Sequence, residues 1–302
     1  MDGNQLLRQL RDLLNESDSS GWLDDFTSYM YLWQAAVEFV TRTECFKATQ
    51  TITTTNANSY RLNADYLQLF ARTKDNRYFL KLNDGTSDHY LFYRDYNEFL
   101  YETTQTPVEY PYNFTVIDDP NPPAAVSGTA SSAGALLGGQ CILTDSTADF
   151  SDFDAGDTVH NITDASTGIV LSKTSSTQLV CALFSGAGND WSQNDDYQIV
   201  PQGRTLLVVD PAPSVTGYTI TVNYLQRPAP VFSDYGLYRL QREYCLALIF
   251  YAAWLYKYRD ADPNRGDKFF VHFDNQIKKF SYGIAKRFQD VGRMKVNMKC
   301  RN

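Results

Sequence analysis

A proline-rich break near the middle of the chain constrains the fold more than any other feature. The segment Asp118-Asp119-Pro120-Asn121-Pro122-Pro123 cannot continue a helix or lie inside a sheet, because proline has no amide hydrogen and a fixed φ. Residues 124–200, which follow it, contain eight of the 17 glycines, nine aspartates and one lysine. Strand-like runs at 167–172 and 178–184 alternate there with turn residues. The pattern predicts an inserted β-sandwich-like module at 120–200.

The two ends of the chain are helical in pattern. Residues 4–16 place five leucines on one stripe, and a second apolar stripe runs from about 22 to 43. A third helix is predicted from 234 to about 258, and its middle, 245–255, is apolar nearly all round. In a fourth helix, starting near Pro263, apolar residues recur every three or four positions as far as Phe288. These four helices predict one bundle, with the chain ends close together.

The segments between the helices and the insert have the period of strands. Strands are predicted at 49–55, 66–73, 78–82, 112–117, 205–209 and 218–225, with a hairpin turn at Asn56-Ala57-Asn58. The predicted fold class is therefore α+β: a four-helix bundle from the N- and C-terminal segments, a central small antiparallel β region, and an inserted all-β module. Residues 1–119 and 201–302 would form the core that carries the insert.

Charge is unevenly distributed along the chain. Residues 278–302 hold eight basic residues and one acidic residue, so this segment is +7 while the rest is −15, giving −8 in all. The apolar run at 245–255 is too short to cross a bilayer, and the first residues do not resemble a signal peptide, so no membrane contact is expected and folding in a cytoplasm is predicted. The five cysteines are far apart in sequence, which favours free buried thiols.

Residue patterns that carry chemistry are missing from the sequence. His89, His160 and His272 have no second ligand at helical spacing, and no nucleophile elbow, phosphate-binding loop or dinucleotide fingerprint occurs. The acidic run at 152–157 is similar to a calcium loop, but Thr163 stands where a glutamate is needed, so turn residues are the preferred interpretation. We therefore expect no catalytic residues, no cofactor and no metal.

Four segments carry a resemblance to a known family. They are the opening helices (Leu6 to Asn15, then Trp22 to Phe26), the strand-turn-strand from Thr51 to Leu69, the strands from Leu206 to Tyr224, and the closing helices. Their order resembles the head-to-tail connector (adaptor) proteins of tailed bacteriophages, although Asn63 stands where that family commonly has proline. The insert, from Gly128 to Asp164, is separately similar to β modules of phage virion proteins.

The resemblance implies a structural virion protein. Connectors of this family form a homo-oligomeric ring, usually of twelve copies, which joins the capsid portal to the tail and extends the DNA channel. The expected partners are the portal protein, a downstream tail protein (nozzle or stopper), further copies of the chain and, non-specifically, DNA. The expected location is the portal vertex of the virion, with host cytoplasm during assembly. Roles in tail assembly and viral genome ejection follow from that position.

The basic C-terminal segment has three possible interpretations. It is a solvated terminus, or it docks on an acidic portal surface, or it contacts DNA phosphates in the channel. The candidate portal or DNA contacts are Lys286, Arg287, Arg293, Lys295, Lys299 and Arg301. Two other functions remain open: a virion binding module whose β insert recognises another tail protein or a carbohydrate, and a cell-wall hydrolase that uses two carboxylates.

Overall fold

The fold is mostly β, so the predicted fold class is wrong. The computed structural model describes residues 2–15, 24–70, 77–98, 106–134, 139–230, 240, 242–259, 264 and 266–281. Within them, fourteen strands form two sheets, one of eight strands and one of six. The sheets, and not a helical bundle with a small β region, make up most of the ordered structure.

The chain divides into two compact units. One comprises Met1–Thr43, Leu137–Gly139 and Pro228–Asn302, and it contains the long helices. The other comprises Glu44–Leu136 and Gln140–Arg227, and it contains both sheets. The boundaries predicted at 120 and 200 lie within this second unit, so the separation of an insert from a core stays a prediction.

The eight predicted strands lie within a few residues of their predicted positions, and six further strands were not predicted. In the eight-stranded sheet they are β1 Lys47–Thr53, β2 Ser59–Arg61, β3 Tyr66–Leu69, β4 Phe79–Asn83, β5 Asp88–Tyr93, β6 Asn113–Asp118, β13 Thr205–Asp210 and β14 Thr219–Gln226. In the six-stranded sheet they are β7 Val126–Thr129, β8 Cys141–Thr144, β9 Thr158–Asn161, β10 Ser166–Ser175, β11 Gln178–Phe184 and β12 Asp196–Val200.

The eight-stranded sheet curls into a nearly closed barrel. Its order is β1-β14-β4-β5-β6-β13-β2, and β3 also pairs with β14. Strands β1 and β2 are at opposite ends of this order although only residues 54–58 separate them. The Gln50 side chain on β1 closes the gap, donating to the carbonyl of Arg61 and accepting from the amide of Asn63, 3.3 and 2.9 Å away.

Two predictions about this sheet are wrong. The turn at Asn56–Asn58 does not make a hairpin, because β1 pairs with β14 and β2 pairs with β13. The region is not wholly antiparallel either, since β5 and β6 run parallel, with Phe92 opposite Asn113.

Alternating side chains fill the barrel. In β4, Leu80 and Leu82 are buried while their neighbours are partly exposed, which is the period of a strand with one face in the core. The other buried members of this core are Ile52, Tyr60, Leu62, Tyr66, Leu69, Leu91, Phe114, Leu207, Val209, Ile220, Val222 and Tyr224. The removal of these apolar side chains from water is the main contribution to the stability of the barrel.

The six-stranded sheet is a half-barrel with a core of its own. Its order is β7-β12-β9-β10-β11-β8, antiparallel throughout. Large aromatic side chains fill it, and the buried hydroxyl of Tyr197 donates to Asp145 across 2.8 Å. At Gly168, β10 approaches β11 so closely that a Cβ atom would lie 1.8 Å from the carbonyl oxygen of Ala182. Only glycine therefore fits there.

The helical unit contains α1 Gly3–Leu14, α2 Asp25–Thr43, α3 Arg242–Arg259 and α4, residues 266–281. The leucine stripe predicted for the first helix is confirmed, with Leu6, Leu7, Leu10 and Leu14 buried. Asp2 caps α1 by accepting from the amide of Gln5, and Asp24 caps α2 through the amide of Thr27, each at 2.7 Å. No described helix is long and apolar enough to span a bilayer.

Candidate interaction surfaces

The residues predicted to contact portal or DNA lie outside the described residues. Lys286, Arg287, Arg293, Lys295, Lys299 and Arg301 all belong to 282–302. The described part of α4 carries Lys278 and Lys279, which are exposed, and Lys278 pairs with Asp274 at 2.5 Å.

The hairpin of α3 and α4 carries an exposed apolar surface. In α3 the buried residues Cys245, Leu248 and Ala252 share one face, and Ala247 is buried on the opposite face, so the helix is packed on more than one side, as its composition predicts. Leu246 nevertheless remains 41 % exposed. On the same hairpin Tyr258 is 52 % and Val271 57 % exposed. We call Leu246, Tyr258 and Val271 the hairpin surface. In the described part of the helical unit, every large apolar side chain exposed to this degree belongs to it.

Aromatic rings hold this hairpin rigid. Phe250 of α3 stacks on His272 of α4 with ring centroids 5.2 Å apart, and Trp254 packs against Phe270 at 5.0 Å. The guanidinium of Arg42 lies over the Phe270 ring at 5.3 Å, which brings α2 against α4. The hairpin surface is therefore presented on a fixed scaffold.

A buried ion pair lies at the junction of the two sheets. Arg204, which precedes β13, donates to both carboxylate oxygens of Asp157 at 3.0 and 2.8 Å. Its remaining donors reach the carbonyls of Gln202 and Asp152 at 3.1 and 3.0 Å. The side chains of Arg204 and Asp157 are 3 % and 1 % exposed, so the pair is withdrawn from water. This bidentate geometry is the strong form of an arginine–carboxylate contact.

The acidic run at 152–157 contributes Asp157 to this junction. The amides of Asp154 and Gln202 also donate to the Asp157 carboxylate, at 2.9 and 2.8 Å. Burial alone would lower the pKa of Arg204, but its bonds to Asp157 and the nearby acidic charges raise it. Burial raises the pKa of the neighbouring Asp154. Asp157 is thus committed to Arg204 and to backbone amides, and residues 151–152 and 155–156 of this part of the chain are turns.

Three rings of the eight-stranded sheet and its loops stack on one another. His89 on β5 lies on Tyr110 with centroids 3.9 Å apart, and Tyr110 lies parallel to Tyr218 at 5.8 Å. Asp84, in the turn before β5, meets His89 at 3.1 Å and accepts from the Tyr110 hydroxyl at 3.3 Å. Tyr218 donates to Glu109 at 3.0 Å. The stack ties the β4–β5 turn, the 106–112 segment and the start of β14 together.

The electrostatics of this stack favour a charged Asp84. The backbone amides of Ser87 and Thr86, and then the contact with His89, hold the pKa of Asp84 well below its ordinary value. The bond to Glu109 raises the pKa of Tyr218, which therefore stays protonated. A histidine and a carboxylate also occur together in nucleophilic enzymes, but there they orient a base beside a serine or cysteine. Here the Tyr110 ring stacks on the His89 ring, so these contacts form a clamp that holds the β4–β5 turn against the 106–112 segment.

The other histidines have structural contacts. His160 on β9 meets the Thr167 hydroxyl at 3.1 Å, and His272 stacks on Phe250. In the part of the chain that the structure describes, no three histidine, cysteine, aspartate or glutamate side chains are grouped so as to hold a metal ion. Cys141, Cys181 and Cys245 are buried thiols outside any disulfide, as predicted, whereas the Cys45 thiol, also outside any disulfide, is only partly buried.

Sequence reasoning missed the junction and the ring stack. Arg204 and Asp157 are 47 residues apart, and no local pattern links them. The signal that was available is compositional: Arg204 is the only basic residue between Lys173 and Arg227 in an acidic part of the chain. His89, Tyr110 and Tyr218 gave no signal, because their stacking depends on the closure of the barrel.

Comparison with known proteins gives no relative. No protein-family model matches the chain, and a search of curated proteins finds no match.

Proposed function

We propose that this protein is a structural virion component, a head-to-tail connector whose copies form a ring between the portal and the tail of a tailed phage. The proposed partners are the portal protein, a downstream tail protein and further copies of the chain, twelve in all around the DNA channel. The proposal places the protein at the portal vertex and gives it no catalytic role.

The observation that carries the proposal is the hairpin surface. Leu246, Tyr258 and Val271 are exposed on a rigid pair of helices. Contiguous exposed apolar surface marks protein contacts, and the proposal assigns these three side chains to such a contact. A ring needs one such contact, repeated between the hairpin of one copy and a different face of the next.

Charge supports the same assignment. The unit that holds both sheets has twenty-one acidic and ten basic residues, whereas 278–302 has eight basic residues and one acidic residue. An acidic body with a basic segment favours assembly with partners of opposite charge and steers their encounter. The order of helices and strands that resembles connectors adds to this support.

The test is reconstitution with purified portal rings. Wild-type protein is mixed with portal and imaged by electron microscopy, and a closed ring of density on one face of the portal is the expected result. The Leu246→Glu variant places a charge at the hairpin surface and should leave incomplete or absent rings. Its matched control is Ile162→Glu, because Ile162 is also exposed, at 56 %, but lies beside β9 in the six-stranded sheet.

Circular dichroism of both variants checks that each is folded. Rings that form as well with Leu246→Glu as with Ile162→Glu would assign the contact elsewhere. Particle reconstructions that show the protein in single copies on the capsid surface would refute the connector function itself.

A further inference from the structure

Two of the buried thiols face each other across the six-stranded sheet. Strands β8 and β11 are antiparallel, and their register places Cys141 directly opposite Cys181. Both side chains are fully buried in the same apolar core, and the Cys141 Sγ atom donates to the carbonyl of Cys181 across 3.5 Å. Directly opposite residues of an antiparallel pair point to the same face of the sheet. The two thiols therefore share one side of β8 and β11.

The spacing of such a pair is close to that of a disulfide. The Cα atoms of directly opposite residues lie about 4.5 to 5.5 Å apart, within the range of about 4.4 to 6.8 Å that disulfides allow. Their Cβ atoms also lie about 4.5 to 5.5 Å apart, whereas a disulfide needs about 3.5 to 4.5 Å. Closing the bond between Cys141 and Cys181 thus requires a small approach of β8 towards β11. A bond formed in this way is strained, and strained disulfides are readily reduced.

Burial keeps the pair reduced while the sheet is closed. It raises the pKa of the Cys141 thiol to about 12 and the pKa of the Cys181 thiol well above its ordinary value. The thiolate is the form that attacks a disulfide, and it is therefore scarce in the closed sheet at neutral pH. Because neither side chain is exposed, an oxidant reaches the pair only when a strand opens.

Strand β8 is the strand whose opening uncovers the pair. It has four residues and stands last in the order of the sheet, and among the described strands it pairs with β11 alone. On its other side, backbone hydrogen bonds join it to residues 131–134, through the amides of Ser131 and Ile142. Segments with few contacts open locally at a lower free energy than the whole structure unfolds. We therefore expect β8 to open while β9, β10, β11 and β12 stay paired.

We propose that Cys141 and Cys181 form a redox-sensitive latch, which a low-molecular-weight disulfide closes by thiol–disulfide exchange when β8 opens. The Cys141 thiolate attacks the small disulfide, forms a mixed disulfide with it and releases one small thiolate. The Cys181 thiolate then attacks the sulfur of Cys141, which forms the bond within the protein and releases the second small thiolate. The protons that the two cysteines lose end on the released thiolates, so one small disulfide is reduced for each protein disulfide formed.

The latch would join β8 covalently to β11. It does not depend on the connector function, because it uses no residue of the hairpin surface.

The test is peptide mapping by mass spectrometry after the folded full chain is exposed to oxidised glutathione. Free thiols are alkylated before digestion, so a disulfide between the peptides of Cys141 and Cys181 is detected directly. Oxidation should raise the melting temperature by about 5 °C, since a cross-link between residues 40 positions apart restricts the unfolded chain by more than the strain costs. An excess of reduced glutathione should reverse both changes, because the bond is strained.

The variant Cys45→Ala is the matched control, since the Cys45 thiol is partly buried and lies in neither sheet. It should form the disulfide and gain stability as the wild type does, whereas Cys181→Ala should show neither change. If Cys181→Ala does not fold, the peptide maps of the wild type and of Cys45→Ala decide alone.

Three outcomes would overturn the proposal. The first is that Cys141 and Cys181 stay unlinked to each other in oxidised glutathione while circular dichroism shows the protein folded. The second is a disulfide that excess reduced glutathione does not open. The third is a linked protein whose melting temperature is unchanged or lower, since the bond would then not hold β8 in place.

Discussion

Removing the charge of Arg204 should destabilise the β unit more than any exposed substitution. The variant Arg204→Met keeps the length and much of the volume of the side chain, but it leaves the Asp157 carboxylate without its counter-ion. It also deprives the carbonyls of Gln202 and Asp152 of their donor.

The size of the effect follows from burial. Breaking a buried ion pair by removing one partner costs about 3–5 kcal/mol. Asp157 retains two bonds from the amides of Asp154 and Gln202, which stabilise its charge and place the expected loss near the lower limit, about 3 kcal/mol. At about 1.4 kcal/mol per tenfold, the equilibrium constant for folding should fall more than a hundredfold.

Urea unfolding measures this loss. Tryptophan fluorescence reports it, because Trp191 lies in the core of the six-stranded sheet with 1 % exposure. The double variant Arg204→Met, Asp157→Leu removes both charges and should recover at least half of the lost free energy, since an apolar pair replaces a buried ionic one without leaving a charge behind. Lys81→Met, which breaks the solvent-exposed pair with Asp88, should leave the unfolding midpoint unchanged.

The outcome that refutes this reasoning is a loss below about 1 kcal/mol for Arg204→Met, the range of a surface pair. Water would then reach Asp157 in the folded protein. A double variant as unstable as the single one would show that packing and carbonyl contacts, not the unpaired charge, account for the loss.

Three further predictions concern separate parts of the chain. The variant Gly168→Ala should lower the free energy of unfolding by about 3 kcal/mol or more, because its Cβ would meet the carbonyl of Ala182. The control Gly203→Ala, whose Cβ would have no atom within 4 Å, should leave the melting temperature unchanged or higher. Equal effects of the two variants would contradict the close approach at Gly168. Because the pKa of Asp84 is lowered on folding, its contribution to stability is present above the ordinary carboxyl pKa of about 4 and is lost on acidification below it. The variant Asp84→Asn should therefore lower the melting temperature at neutral pH and flatten the decline of the melting temperature in acid. An unchanged pH profile would contradict the clamp. Truncation after Phe288 removes four of the eight basic residues of 278–302, and it should leave the helical circular dichroism intact while abolishing pull-down by portal rings; undiminished pull-down would exclude residues 289–302 as the portal contact.

Local patterns predicted the elements far better than their arrangement. The leucine spacing of α1 and the capping residues Asp2 and Asp24 are local signals, and so is the run that became β11. Pairing is not local: β1 lies against β14, with Ile52 opposite Ile220. A period of two indicates a strand but does not identify the strand that pairs with it, so the six strands predicted for this region do not indicate a barrel.

Short strands hid the size of the barrel as well. Strand β2 has three residues and β3 has four, too few for alternation to appear in the sequence. Exposure of Tyr96 could not be foreseen, since tyrosine is as common in cores as on surfaces.

Closure of the barrel limits which strand edges can pair with a strand from another chain. A strand from another chain pairs with a row of unpaired backbone amides and carbonyls. At the seam between β1 and β2, the Gln50 side chain already bonds to two such groups, the carbonyl of Arg61 and the amide of Asn63. In the six-stranded sheet, residues 131–134 already bond to the outer side of β8 through the amides of Ser131 and Ile142. Among the described residues, β7 pairs with β12 alone. In the six-stranded sheet, donor-strand complementation by another protein, or by a second copy, would therefore take place at β7.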